Sequence, residues 1–217
     1  MLNLSIATIV IIAANVVISL KGFDDRSFFE RYKFNVGSIR RGEQIRMFSS
    51  GFLHADTTHL FMNMFTLYFF ADTVVNGLSN IYFIIIYVAS LIFGNLLSLY
   101  FHKDEYWYSA IGASGAVTGI LYSAILLRPD MSLYMFFVPI PIPGYVFGIG
   151  YLLYSIYGMK NRIGNIGHDT HFGGAIGGYL ITLILKPSLL KTDLAYVALL
   201  AVPIIILFIM HKTGKLS

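Results

Sequence analysis

The chain has 217 residues, 57% of them hydrophobic and only 12% charged, about half the charged share of an ordinary soluble domain, and a water-soluble fold does not fit that balance. The formal charge of +4 comes from Lys and Arg concentrated between apolar runs, which suits anionic headgroups and excludes a nucleic-acid binder with a continuous basic face. There is no cysteine, which excludes disulfides, thiolate metal sites and a cysteine nucleophile.

Seven runs reach the ~20 apolar residues that a bilayer crossing needs. They lie near 4–20, 55–75, 80–101, 112–127, 135–157, 170–186 and 194–210. Together they would place roughly 140 residues in lipid, so the chain reads as a single polytopic membrane domain, 1–217. None shows the in-out alternation of barrel strands, which makes the fold class all-α, a membrane helical bundle. The first run lacks a basic lead-in and a small-residue cleavage site and reads as a retained span. Residues 21–50 carry seven of the fifteen basic residues, interleaved with Phe23, Phe28, Phe29, Tyr32 and Phe34; this pattern predicts a folded element on the membrane surface. Tyr106, Trp107 and Tyr108 mark the headgroup level before the fourth span. Pro139, Pro141 and Pro143 cannot lie inside a regular helix and are expected to open the fifth span.

Polar side chains inside spans are costly and usually serve a site, and here they fall at three span starts. His54, Asp56, His59 and Asn63 begin the second span, Ser114 the fourth, and His168, Asp169 and His171 the sixth. Successive spans alternate direction, so these three ends share one side of the membrane and one pocket can hold them all, with Asp56 and Asp169 at its wet mouth. His59 and Asn63 are one turn apart on one helical face. His171, Gly174 and Gly178 form a stripe, Gly173, Gly174, Gly177 and Gly178 make two overlapping GxxxG pairs, and Gly115 with Gly119 answer from the fourth span. Such faces permit close helix approach, which would bring the Ser114 hydroxyl within reach of the His171 imidazole.

A serine hydroxyl attacks only when a base takes its proton, and a neutral histidine is the usual base. The tetrahedral oxyanion then needs donors: the backbone N–H groups of Ser114 and Gly115 at the helix start, with the side chains of His59 and Asn63. Asp169 lies two residues from His171 and therefore on another face, which predicts a dyad without a carboxylate. Such a mechanism calls for no cofactor, and activity is expected to fall on acidification as His171 is protonated. Taken singly, each residue has a plainer role: the glycines pack helices and a lone histidine bonds a carbonyl. A second functional class is a membrane metal-binding or transport protein using His54, His59, His168, Asp169 and His171 as ligands. It leaves Ser114 and Asn63 without a role, and the chain has no HExxH helix.

The combination resembles the rhomboid intramembrane serine proteases over residues 37–186. The matching residues are Gly42-Glu43-Gln44-Ile45-Arg46 in the first loop, His54 followed by His59-Leu60-Phe61-Met62-Asn63-Met64, Gly112-Ala113-Ser114-Gly115, the prolines before the fifth span, and His171-Phe172-Gly173-Gly174. The resemblance implies a six-span core, 1–186, with an additional C-terminal span in 187–217. It implies Ser114 as nucleophile, His171 as general base, and His59 and Asn63 as oxyanion side chains. The implied activity is endoproteolysis of transmembrane protein substrates near a helix end, between small residues, by an acyl-enzyme route. The implied setting is the lipid bilayer of the cell membrane, in a water-filled cavity open to the extracytoplasmic side and gated by the fifth span or the loop before the sixth. A third reading is a proteolytically inactive relative that binds membrane segments; the presence of both Ser114 and His171 favours activity.

Three departures stand out. Thr118 occupies the position where the family usually has an aromatic residue stacking on the base, so the packing that orients His171 must differ. Ile45 replaces a tryptophan, and the seventh span has no role readable from the sequence. Twelve of the fifteen basic residues lie on the same side of the membrane as the pocket opening, which by the positive-inside rule puts the pocket on the cytoplasmic side, opposite to the family's orientation. Seven of those twelve belong to the folded 21–50 element, and our reading follows the family's orientation.

Overall fold

The computed structural model describes residues 4–135, 138–161, 163–164 and 167–216. Helix α1 (Ile6–Asp24) starts at Ser5, whose hydroxyl accepts the Thr8 N–H, and ends at Asp25, which caps α2 (Arg26–Tyr32) by accepting the Phe28 N–H. Strand β1 (Phe34–Asn35), α3 (Val36–Arg40), α4 (Arg46–Ser49) and a 3-10 turn (Ser50–Phe52) complete the first connection. Then follow α5 (Thr57–Gly77), α6 (Asn80–Phe101), β2 (Ser109–Ala110), α7 (Ser114–Leu127), β3 (Ser132–Met135), β4 (Val138–Pro143), α8 (Gly144–Asn161), α9 (His168–Leu185), α10 (Leu189–Thr192) and α11 (Leu194–Lys212).

The protein is mostly helical, and a long helix occupies each of the seven apolar runs. By length and composition α1, α6 and α11 are the candidate membrane spans among the described residues. The fifth run departs from expectation: the proline-rich lead-in is not the start of a span but strand β4, paired antiparallel with β3, and the helix begins at Gly144. Prolines at alternate positions remove donors from one strand edge only, leaving the other free to pair. The second small sheet pairs Phe34 with Ala110 and Asn35 with Ser109.

The polar connection is folded, as its aromatic pattern predicts. Arg46 is 7% exposed; its Nη1 donates to the carbonyls of Glu30 (2.8 Å) and Lys33 (2.9 Å) at the end of α2, and its Nε to Glu43 (2.7 Å). Phe34, Val36, Ile39 and Met47 close a small core beneath it.

The centre of the bundle is α7, buried from Gly115 to Leu126. At ~1.5 Å per residue its 14 residues reach about 21 Å, short of the ~30 Å hydrocarbon layer, which leaves room for a cavity above its first turn. Helix α9 presents different glycines to two neighbours. Gly174 and Gly178 meet α7, where an added Cβ would lie 2.6 Å from the carbonyl carbons of Gly115 and Gly119. Gly173 and Gly177 meet α6, at 2.8 Å from Gly94 Cα and 2.9 Å from Ser90 Cα. The overlapping GxxxG pairs thus serve two helix contacts and not one.

Candidate active site

Asp56 begins α5 by accepting the His59 N–H at 2.8 Å, which fixes His59 in the first turn. The Ala55 N–H donates to His59 Nδ1 at 3.4 Å, so Nδ1 carries the lone pair and Nε2 the hydrogen. That Nε2 edge faces Gly112, where an added Cβ would stand 2.8 Å from it and 3.8 Å from Asn63 Nδ2. Gly112 has φ +118°, a conformation suited to glycine, and its N–H is tied to the Ser50 carbonyl at 3.0 Å. Asn63 is buried, and its Nδ2 has no hydrogen-bond partner among the described residues. Leaving such a donor unpaired costs about 1–3 kcal/mol, so two N–H donors stand ready beside the loop that leads into Ser114.

His54 fixes that loop from behind. It is fully buried; its Nε2 accepts the Ala113 N–H at 3.4 Å and its Nδ1 meets Ser19 Oγ at 2.8 Å. Ser19 in turn donates to the Phe52 carbonyl at 2.9 Å, so Nδ1–H is the donor to Ser19 and the chain of bonds has one direction. Burial, with the neighbouring His59 adding to it, pulls the His54 pKa down to about 3, and the ring stays neutral at neutral pH.

Ser114 is the first residue of α7, and its carbonyl accepts the Thr118 hydroxyl at 2.7 Å. His171 lies in the first turn of α9. Its Nδ1 hydrogen-bonds the hydroxyl of Tyr151 on α8 at 2.9 Å, and the two rings lie 6.1 Å apart at 22°. Ser114, Thr118, His59, Asn63, Tyr151 and His171 line one cavity of ≈ 1490 Å³. One turn further along α9, Gly174 presses on the backbone of Gly115, so the helix contact lies directly beneath both residues. No hydrogen bond joins Ser114 Oγ to His171 among the described residues; such bonds are often long without substrate and tighten when it binds.

The acids separate. Asp56 is exposed, as a place at the mouth requires. Asp169, expected there too, is instead 5% exposed and turned to α6, with its Oδ2 3.4 Å from His102 Nε2. The helical wheel that takes it off the His171 face delivers it to the C-cap of α6, where His102 also meets Glu105 at 2.9 Å and stacks on Tyr108 at 3.5 Å. Burial opposes the charged form of His102, but Asp169 and then Glu105 outweigh it and its pKa is raised. His54, His59, His168, Asp169 and His171 are not gathered into a metal-holding group among the described residues. Sequence reasoning missed Tyr151, one of several tyrosines on α8 that no motif spacing singles out, and the hydrogen bonds of His54.

A family model for the Rhomboid domain matches residues 41–188. The chain is 26% identical over 182 residues to the mitochondrial RHOMBOID-like protein 12 of Arabidopsis thaliana, an alignment covering 77% of this chain and 54% of that protein. It is 30% identical over 140 residues to the mitochondrial Rhomboid protein 1 of Saccharomyces cerevisiae, covering 63% and 40%. With the human mitochondrial presenilin-associated rhomboid-like protein it shares 28% over 138 residues, covering 61% and 35%. The chain thus spans about half or less of the length of these relatives, and their mitochondrial names lend no support to the cell membrane as its location. With the domain match running across most of its length and the motif residues drawn to one cavity, this integral membrane chain belongs to the rhomboid family.

Proposed function

We propose that the chain is an intramembrane serine endopeptidase that cleaves transmembrane segments of membrane-protein substrates through a Ser114–His171 dyad. One observation carries the reading beyond family membership. The unpartnered amide nitrogen of Asn63 and the Nε2–H of His59 meet beside Gly112, in the cavity that Ser114 and His171 also line. A buried donor without a partner, with a second donor beside it on half-buried His59, is what a site aimed at a developing oxyanion requires.

As Ser114 Oγ attacks the scissile carbonyl carbon, His171 takes the hydroxyl proton and the C=O pair moves onto oxygen, where His59, Asn63 and the N–H groups of Ser114 and Gly115 hold it. On collapse the C–N bond breaks and His171 gives the proton to the leaving amine, leaving an ester on Ser114. Water then attacks the ester, its proton passing to His171 and on to the Ser114 oxygen as the acid departs. In the same reading the domain 1–217 crosses the membrane six times within 1–186 and once within 187–217, residues 21–50 lie at the surface, and the cavity opens to the extracytoplasmic side. A metal-transport reading is the weaker one, because both ring nitrogens of His54 and the Nδ1 of His171 are already engaged by protein groups.

The test is cleavage in proteoliposomes of single-span peptides with small residues near one helix end. Wild type should release two fragments with or without chelator, and Ser114→Ala none. Intact peptides with the wild type, or chelator-sensitive turnover that survives Ser114→Ala, would overturn the proposal.

A further inference from the structure

We infer that Tyr151 on α8 is the positioning residue for the base, fixing which nitrogen of His171 is free to take the serine proton; the inference rests on the dyad reading above. The position one turn after Ser114 holds Thr118, whose side chain is too small to cover an imidazole. The aromatic partner comes instead from another helix and meets the imidazole end-on: the Tyr151 hydroxyl is 2.9 Å from Nδ1, with the ring centroids 6.1 Å apart.

A tyrosine hydroxyl has one hydrogen, so the 2.9 Å bond has two possible directions. If Tyr151 donates to Nδ1, the hydrogen of the neutral ring sits on Nε2 and no lone pair remains for Ser114. If Nδ1–H donates to the Tyr151 oxygen, Nε2 is the free base. The direction is decided one residue away. Thr118 neighbours the Tyr151 hydroxyl, and its own hydrogen is committed to the Ser114 carbonyl at 2.7 Å; towards Tyr151 it can only accept. With the Tyr151 hydrogen turned to Thr118, Nδ1 keeps its hydrogen and Nε2 is left to accept. Thr118 and Tyr151 together do by hydrogen bonding what a carboxylate partner would do, which fits the position of Asp169, turned away to His102. Because Tyr151 belongs to α8 while His171 belongs to α9, the state of the base also depends on how α8 is seated.

The experiment uses the full chain in detergent. It measures the rate of labelling by a fluorophosphonate and the ¹⁵N resonances of His171, assigned by comparison with His171→Ala. Tyr151→Phe keeps the ring and removes the hydroxyl; Thr118→Val keeps the shape and removes the acceptor. Wild type should read as the Nδ1–H tautomer, and both variants should gain the Nε2–H form and label at least about tenfold more slowly, with melting temperatures that do not explain the loss. Thr118→Val decides the matter if Tyr151→Phe folds poorly. Wild-type labelling and an unchanged tautomer in Thr118→Val, with His171→Ala inactive, would overturn the inference and leave the dyad standing. Full labelling of His171→Ala would remove the dyad, and the inference with it.

Discussion

Replacing Gly174 with alanine moves His171 relative to Ser114 without touching either. The added Cβ would stand 2.6 Å from the Gly115 carbonyl carbon and 2.9 Å from its Cα, about 1 Å inside the ~3.5–4.0 Å at which carbon atoms pack. The obstacle is backbone and not the end of a flexible side chain, so α9 must withdraw from α7 by about 1 Å. A displacement of that size costs an enzyme on the order of 100-fold in rate, and overpacking a close contact costs about 1–3 kcal/mol in stability. The internal control is Gly150→Ala on α8, where an added Cβ meets nothing within 4 Å. It should keep the wild-type rate and gain about 0.5–1 kcal/mol from the better helix former. Rates of fluorophosphonate labelling and thermal unfolding in the same detergent read both quantities. If Gly174→Ala labels and melts like the wild type, the glycine contact does not set the spacing of Ser114 and His171.

Asn63→Ala should lower the labelling rate by about 10²–10³-fold, the usual cost of an oxyanion donor. It should leave stability unchanged or raised, because the lost amide nitrogen has no partner to forsake; a parallel loss of both would mark Asn63 as structural. His54 has a folded-state pKa of about 3 against its ordinary 6.5, so below 6.5 the unfolded chain binds a proton that the folded chain refuses. Its stabilising effect is complete above 6.5 and falls as pH drops towards 3. The stability gap between wild type and His54→Gln should accordingly narrow between pH 7 and 4, and a constant gap would contradict the assignment. Arg46→Met leaves the Glu30 and Lys33 carbonyls unpaired and should cost about 3 kcal/mol at ~1.5 kcal/mol per charged hydrogen bond. Ile45→Ala, at a side chain 58% exposed, should stay within about 0.5 kcal/mol; denaturant titration compares the two.

The helices were legible because hydropathy summed over a window needs no tertiary information, and the convergence of His59, Asn63, Ser114 and His171 on one cavity was legible because alternating spans place their starts together. Windowed hydropathy misplaced the start of α8, since an Ile/Pro run is as apolar in strand β4 as in a helix. A helical wheel correctly took Asp169 off the His171 face, yet it gives a direction and not a neighbour, and His102 became visible only with α6 in place. Tyr151 was hidden for a related reason. Helix α8 carries Tyr145, Tyr151, Tyr154 and Tyr157, and which of them reaches α9 depends on the rotation of one helix against the other. Thr118 did signal, by what it lacks, that another group must orient the base.

The central claim is that Ser114 is activated by His171, and the most direct measurement is fluorophosphonate labelling of the purified protein in detergent, comparing wild type, Ser114→Ala and His171→Ala with and without chelator. The account predicts a labelled wild type indifferent to chelator and two unlabelled variants with unchanged melting temperatures. A folded wild type that takes no label from probes small enough for the ≈ 1490 Å³ cavity, or label that survives His171→Ala, would contradict it.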